Sequence, residues 1–171
     1  MQSFKLKAIT KKQTPFWLPE GAYIQFYSSE NLAPSGEIIT CSLAVPIYEQ
    51  KILLINHNKR SWDIPGGHRE KGETPYQTLQ REVYEEAYLK FENAIPFAYA
   101  KIHNESHTNP NDGYPYPTSY IQFYLLEGIQ EKNFKAEYET CQRKWFDTTE
   151  ANQVSWIQRH QELYKLALDL S

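Results

Sequence analysis

The apolar residues Tyr76, Leu79, Val83 and Ala87 recur at three- and four-residue steps, the period of an amphipathic helix that lays one stripe on a core. Its start is marked chemically. Thr74 and Gln77 make a Thr-x-x-Gln capping box, and Pro75 falls at the first helical position, where its missing N–H costs nothing. A second helix is predicted from Thr148 or Thr149, read as its cap, to the C-terminus, with Val154, Ile157, Tyr164 and Leu168 as its apolar stripe. Runs rich in β-branched and aromatic residues predict strands at 4–9, 22–27, 38–45, 51–56, 94–102, 120–126 and 144–147. Strands before, between and after two helices imply an α/β fold, a mixed sheet with helices on its faces. No internal repeat is visible, and the first 35 residues read as an addition to this core, with Phe16 and Trp17 as anchors.

The polar side of the first helix is unusual. Glu82, Glu85 and Glu86 stand at i, i+3 and i+4, so all three project from one face within a few ångströms of each other. Like charges at this spacing repel, and a divalent cation with oxygen ligands turns the repulsion into coordination. Arg81 lies beside Glu82 and four residues before Glu85, close enough to fix a carboxylate rotamer by a bidentate hydrogen bond.

Composition narrows the classes. A chain of 171 residues with 40% hydrophobic content is long enough for one sizeable core, and nothing marks a linker. A formal charge of −3 argues against nucleic-acid binding by a basic surface while leaving room for a local basic pocket. Cys41 and Cys141 are too few for a disulfide framework and read as free buried thiols. The N-terminal residues lack the apolar run of a secretory signal, and no segment approaches membrane-spanning length, so a soluble cytoplasmic protein is expected.

The string over 67–89 resembles the Nudix box, G-x5-E-x7-R-E-U-x-E-E-x-G-U, with U aliphatic. Gly67, Glu73, Arg81, Glu82, Val83, Glu85, Glu86 and Leu89 fill it with the spacing intact, and Trp62-Asp63-Ile64-Pro65-Gly66 looks like the segment that leads into it. Tyr88 departs, standing where the family has Gly, so the helix is expected to run on slightly or leave differently. The resemblance implies a three-layer α/β/α sandwich with a mixed central sheet. It also implies one Nudix hydrolase domain over 1–171, with an N-terminal extension to about residue 35.

It further implies Mg²⁺ or Mn²⁺ shared by Glu82, Glu85 and Glu86, with a backbone carbonyl of Gly66 or Gly67 as extra ligand. Glu73 would tether Arg81 or a water on the metal. For the base that takes the water proton the candidate is Glu139, six residues before Trp145, with Glu137 and Glu127 as competitors. Arg69 and Lys71 in the box loop, with Lys59 and Arg60 upstream, are cations that could meet phosphate oxygens. The polar, proline-rich stretch 104–118 reads as a specificity wall, with Tyr114 and Tyr116 placed to stack on a base. His103 and His107, four apart outside any helix, do not make a zinc site.

The reaction implied is hydrolysis of a phosphoanhydride in a nucleoside di- or triphosphate or a related nucleoside-diphosphate compound. Outside the box no subgroup marker appears: Asn104 stands where a proline would point to ADP-ribose. Two rivals remain. One is a silent ligand-binding sensor that keeps the box, and the other is a prenyl-diphosphate isomerase, which would need Cys41 in the pocket. Of the reactions named, triphosphate pyrophosphohydrolysis is the one favoured, the mutator-type subgroup being one option within it. The oligomeric state stays open, a homodimer included.

Overall fold

Strand β4 (Lys51–His57) carries four consecutive, wholly buried aliphatic residues, and their alternation divides the molecule into layers. On one side Ile52 and Leu54 join a cluster with Val45, Phe123, Leu125, Trp156, Ile157 and Leu163. On the other, Leu53 and Ile55 join Ala44, Leu79, Val83, Ala87, Tyr124 and Leu126. Each wholly buried leucine or isoleucine contributes on the order of 2 kcal/mol. The computed structural model describes residues 7–29, 34–105 and 115–171, and among them the chain is an α/β/α sandwich.

The main sheet is mixed. It contains β1 (Tyr23–Ser28), β2 (Ile39–Val45), β6 (Gly66–His68), β8 (Asn93–His103) and β9 (Thr118–Glu127), in the order β1-β8-β9-β2-β6. Only β2 and β9 run parallel; the other pairings are antiparallel. A second, antiparallel sheet holds β3 (Ile47–Tyr48), β4 and β11 (Thr140–Phe146), with β5 (Ser61–Asp63) paired to β4. The chain passes between the sheets at Pro46, which has no N–H to offer a ladder, and then turns through Glu49 and Gln50 at positive φ. The expected mixed central layer is present, built as two sheets that share both cores. The pairings β3, β5, β6 and the small ladder of β7 (Leu89–Lys90) with β10 (Gln130–Glu131) span only two or three residues, too short for a periodic signal.

Helix α1 (Pro75–Ala87) starts as the capping box predicts. The Thr74 side chain accepts from the Gln77 N–H, and the Gln77 side chain accepts from the Thr74 N–H at 2.8 Å. Leu79, Val83 and Ala87 are buried, while Tyr76 lies against Phe91 at the margin. The exit differs from the expectation. The helix does not run on: it stops at Ala87, and Tyr88 takes the left-handed conformation (φ 51°) that glycine fills without strain. Burial of the tyrosine ring beside Phe134, and an O–H donated to Glu137 at 2.7 Å, offset that conformational cost. The last carbonyls of α1 are taken up by Arg143, which donates to Ala87 and Tyr88, and by the Thr140 hydroxyl, which donates to Glu86 at 2.8 Å.

The C-terminal stretch is not one helix but three, α2 (Thr148–Ala151), α3 (Ser155–Arg159) and α4 (Gln161–Leu170), and the cap is Asp147. At about 100° per residue a straight helix would aim Ala151 away from Trp156, Leu163 and Ala167. All four are buried in one cluster, so the axis must break. Two further expectations fail at the N-terminus and at Cys141. Phe16 is fully exposed and anchors nothing, Trp17 is half exposed, and Cys141 is exposed although Cys41 is buried. Residues 4–6 of the first predicted strand lie outside the described residues. Beyond them the chain makes two single bridges, Ala8 to Tyr27 and Gln13 to Ile24, along the edge of β1.

The packing of Tyr88 outweighs its backbone strain. Tyr88→Gly is expected to lower the melting temperature by several degrees and leave turnover unchanged, read by a thermal melt and an activity assay on one preparation. A rise in melting temperature would show that strain dominates.

Candidate active site

The sheet face that lies under α2–α4 at one end continues at the other end as the floor of a cleft. Cys41 and Leu43 from β2, Ile121 from β9 and Ile102 from β8 form that floor. The cleft encloses about 960 Å³. Trp17, Leu18, Tyr116 and Pro117 give the lining its apolar and aromatic part. Its polar part holds Glu82, Glu86, Gly66, Gly67, His57, Lys59, Arg60, Arg69 and Glu139.

The glycines are required by proximity. Gly67 pairs with Ser42, and a Cβ on it would run into the Glu82 carboxylate, while a Cβ on Gly66 (φ 140°) would strike the Ser42 carbonyl. Glu86 accepts the Gly66 N–H at 2.8 Å and faces Arg60 at 3.6 Å. Its side chain is 8% exposed, and burial, aided by Glu82 and Asp63, pushes its pKa up to about 7. Burial likewise raises the pKa of Glu82, against a lowering hydrogen bond from Arg81. Two desolvated carboxylates one helical turn apart therefore share the site with too little positive charge.

Arg81 stands behind them, outside the cleft lining. Its Nε and Nη2 clasp Glu73 at 2.7 and 3.0 Å, its Nη1 reaches Glu82 at 2.8 Å and Glu85 at 3.4 Å, and Nη2 also donates to the His68 carbonyl at 3.1 Å. The clasp holds the Glu73 carboxyl down to about 2 and raises the guanidinium well above its ordinary value. Glu73, Arg81 and Glu85 thus form a buttress rather than part of the cleft wall.

The structure gathers Glu82, Glu86, Gly66, Gly67, Glu139, Lys59, Arg60, Arg69 and Tyr116 of the sequence-derived residues into one cleft. Lys71 is exposed and not in its wall. Glu137 is held by Tyr88, and Glu127 is held by Asn93 at 2.9 Å, so neither competitor of Glu139 faces the cleft. Tyr114 and His107 lie outside the described residues. Sequence reasoning misses His57, which is 4% exposed and touches Glu139 at 2.9 Å. No spacing links residues 82 positions apart. Trp17, expected as an anchor, is instead part of the cleft wall.

The carboxylates of Glu82 and Glu86 and the carbonyls of Gly66 and Gly67 are oxygen donors, which suits a hard divalent cation. Among the described residues no three acidic, His or Cys side chains are gathered closely enough to hold an ion as they stand, because Arg81 draws Glu82 and Glu85 to itself. The raised pKa values of Glu82 and Glu86 and the close approach of the Glu82 carboxylate to Gly67 nonetheless fit a cation between helix and loop. Cys41 lines the cleft, but burial pushes its thiol up to about 12, so it is neutral near pH 7. No helix among the described residues is long and apolar enough to cross a membrane.

Comparison with known proteins agrees with this arrangement. Human 8-oxo-dGDP phosphatase NUDT18 is 34% identical over 116 residues, 63% of this chain and 32% of that protein, so the chain spans about a third of that relative. The fold resembles that of the Bacillus subtilis pyrophosphohydrolase BsRppH, with a TM-score of 0.61 at 15% identity over 91% of this chain and 97% of that one. It also resembles the MutT NUDIX hydrolase from Burkholderia pseudomallei, with a TM-score of 0.54 at 21% identity over 72% and 94%. Residues 41–167, most of the chain and all of the box, match the family model described as the NUDIX domain: the chain belongs to the NUDIX family of hydrolases.

Proposed function

We propose that this protein is a divalent-metal-dependent hydrolase that cleaves a phosphoanhydride bond in a nucleoside di- or triphosphate or a related nucleoside-diphosphate compound. One observation carries the reading: Glu82 and Glu86 are desolvated carboxylates in a cleft whose lining also includes Lys59, Arg60 and Arg69. Acids alone would repel a polyphosphate, and cations alone would bind it without activating water. When bound, Mg²⁺ or Mn²⁺ supplies neutralisation of phosphate oxygens and a more acidic water. Glu82 and Glu86, with Glu85 after a rotamer change and a Gly66 or Gly67 carbonyl, would hold it. Arg81 keeps the carboxylates oriented, and the basic side chains take the phosphates.

Water attack forms one P–O bond as the bridging P–O bond breaks, and Glu139 accepts the water proton. The pKa of Glu139 lies below the usual carboxylate range, through its bond to His57 and the nearby Lys59, so it is ionised and able to accept. Trp17 and Tyr116 in the lining of the same cleft offer a planar base an aromatic surface. The names of the relatives, an 8-oxo-dGDP phosphatase and a MutT hydrolase, favour nucleotide substrates. We read the chain as one hydrolase domain with residues 1 to about 35 added along the sheet edge, acting in the cytoplasm, where free thiols such as Cys41 and Cys141 persist. A silent sensor would have no reason to keep all of Glu82, Glu85 and Glu86. A neutral Cys41 disfavours the isomerase.

A panel of nucleotides assayed for phosphate or pyrophosphate release, with Mg²⁺, Mn²⁺ or EDTA, is expected to give metal-dependent product. Tight metal-dependent binding with no product would favour the sensor. Glu82→Gln and Glu86→Gln are expected to lower kcat at least about a hundredfold while leaving the fold intact. Wild-type turnover in either variant would contradict the assignment.

The metal-free protein provides a test of charge. The pKa of Glu86 is raised on folding, so the neutral carboxyl is the form the fold favours. Its contribution is fully present below the unfolded value near 4.5 and is lost as pH rises through about 7. Glu86→Gln should therefore raise the melting temperature in EDTA at pH 8 and change it little at pH 4. An equal shift at both would remove the electrostatic account. Trp17→Ala should raise KM for a nucleoside triphosphate on the order of tenfold, the scale of one stacked base, while sparing inorganic tripolyphosphate. Equal loss for both ligands would exclude base stacking.

A further inference from the structure

We propose that His57, buried at the end of β4, is a positioning residue that fixes the Glu139 carboxylate from behind, with the imidazole proton held on Nε2. The proposal rests on the reading of Glu139 as the group that accepts the water proton.

The tautomer is set by one backbone bond. The Lys59 N–H lies 3.1 Å from Nδ1 of His57. An amide N–H can only donate, so Nδ1 must accept and carries no proton. A neutral ring then has its proton on Nε2, which stands 2.9 Å from Oε2 of Glu139 and donates to it. The two partners differ sharply in surroundings: the His57 side chain is 3% exposed and that of Glu139 is 63% exposed. An exposed glutamate left to itself samples many rotamers, and a buried donor with a fixed ring removes that freedom.

The fold builds the pair from two strands. Thr140 at the start of β11 pairs with His57 at the end of β4, which sets Glu139 beside the ring. The Glu139 carbonyl accepts the Asn58 N–H at 2.9 Å, and the Thr140 hydroxyl donates to the Glu86 carbonyl at 2.8 Å. One short segment therefore ties His57, Glu139 and the helix of Glu86 together. The other charged groups facing Glu139 are Lys59, with Nζ at 3.7 Å, and Arg60. Lys59 is 79% exposed and free to swing, so it holds position poorly; only the buried imidazole supplies a fixed direction.

The first measurement is the ¹⁵N spectrum of the His57 ring in the intact wild-type protein at pH 7. The expected pattern is a protonated Nε2 and a bare, hydrogen-bonded Nδ1; a proton on Nδ1 overturns the proposal. The second is steady-state hydrolysis of a nucleoside triphosphate with Mg²⁺. His57→Leu is expected to lower kcat about tenfold, the scale for losing a partner that orients a reacting group, with KM unchanged. The acid limb of its kcat–pH profile should move to higher pH as Glu139 loses its donor. His57→Gln, whose amide can still donate to Glu139, is expected to recover most of the rate. A wild-type kcat and pH limb in His57→Leu overturns the proposal, as does equal loss in Leu and Gln variants with unchanged melting temperatures. Glu139→Gln separates the layers: loss there with a normal His57→Leu leaves Glu139 as base and removes the role of His57, whereas full activity in Glu139→Gln removes both. If no nucleotide is hydrolysed by the wild type, the hydrolase reading fails, and the ¹⁵N pattern still decides the geometry. Should His57→Leu not fold, the spectrum and the Gln variant decide.

Discussion

A single guanidinium organises the box loop and the acidic face of α1. Arg81 clasps Glu73 with two nitrogens and reaches Glu82, Glu85 and the His68 carbonyl with the same planar group. The loop after β6 and the helix beyond it are thereby joined through a fork whose geometry lysine could not supply. The clasp also explains why three adjacent acids do not push α1 apart. Their repulsion is drained on one side by Arg81, while Glu82 and Glu86 keep a residual excess of negative charge on the side that faces the cleft. That excess, in a partly desolvated setting, is the feature on which the proposed cation site rests.

Rigidity reaches the cleft by two routes. Its floor is the continuation of a sheet face that is core under α2–α4, so Leu43, Ile102 and Ile121 are held by the packing that holds the whole domain. Its polar wall is bound to the end of α1, where Arg143, Thr140 and the strained but buried Tyr88 close the helix. The residues that close the helix also adjoin the segment carrying Glu139, so the acid cluster and Glu139 are positioned by a common joint. Chemistry that needs several groups within a few ångströms depends on such shared supports.

Much of α1 and its surroundings is legible in the sequence because the information is local. A capping box, a proline at the first turn and an apolar stripe act over four residues or fewer, and each appears in the fold as expected. Six of the seven strand predictions correspond to strands β1, β2, β4, β8, β9 and β11, since long alternating or continuous apolar runs outlast local ambiguity. Errors arise where a residue answers to something distant. Tyr88 accepts a glycine-like conformation because Phe134 and Glu137 reward it. The C-terminal stripe breaks because its buried residues must face one core from incompatible angles. Phe16 and Trp17 look alike in sequence, yet one is bare and the other lines the cleft.

The sequence by itself determined the box, the helix that bears it, the α/β class and the presence of an acid cluster with its own arginine, because side chains three or four residues apart on a helix meet whatever the remainder of the chain does. The tertiary structure alone decided that Glu85 turns to the buttress while Glu82 and Glu86 face the cleft, that Glu139 and not Glu137 or Glu127 shares it, and that His57 stands behind Glu139. Those outcomes depend on strand register and on which surfaces are excluded from water. Both are set by pairing between β4 and β11, residues more than eighty positions apart, which no local pattern encodes.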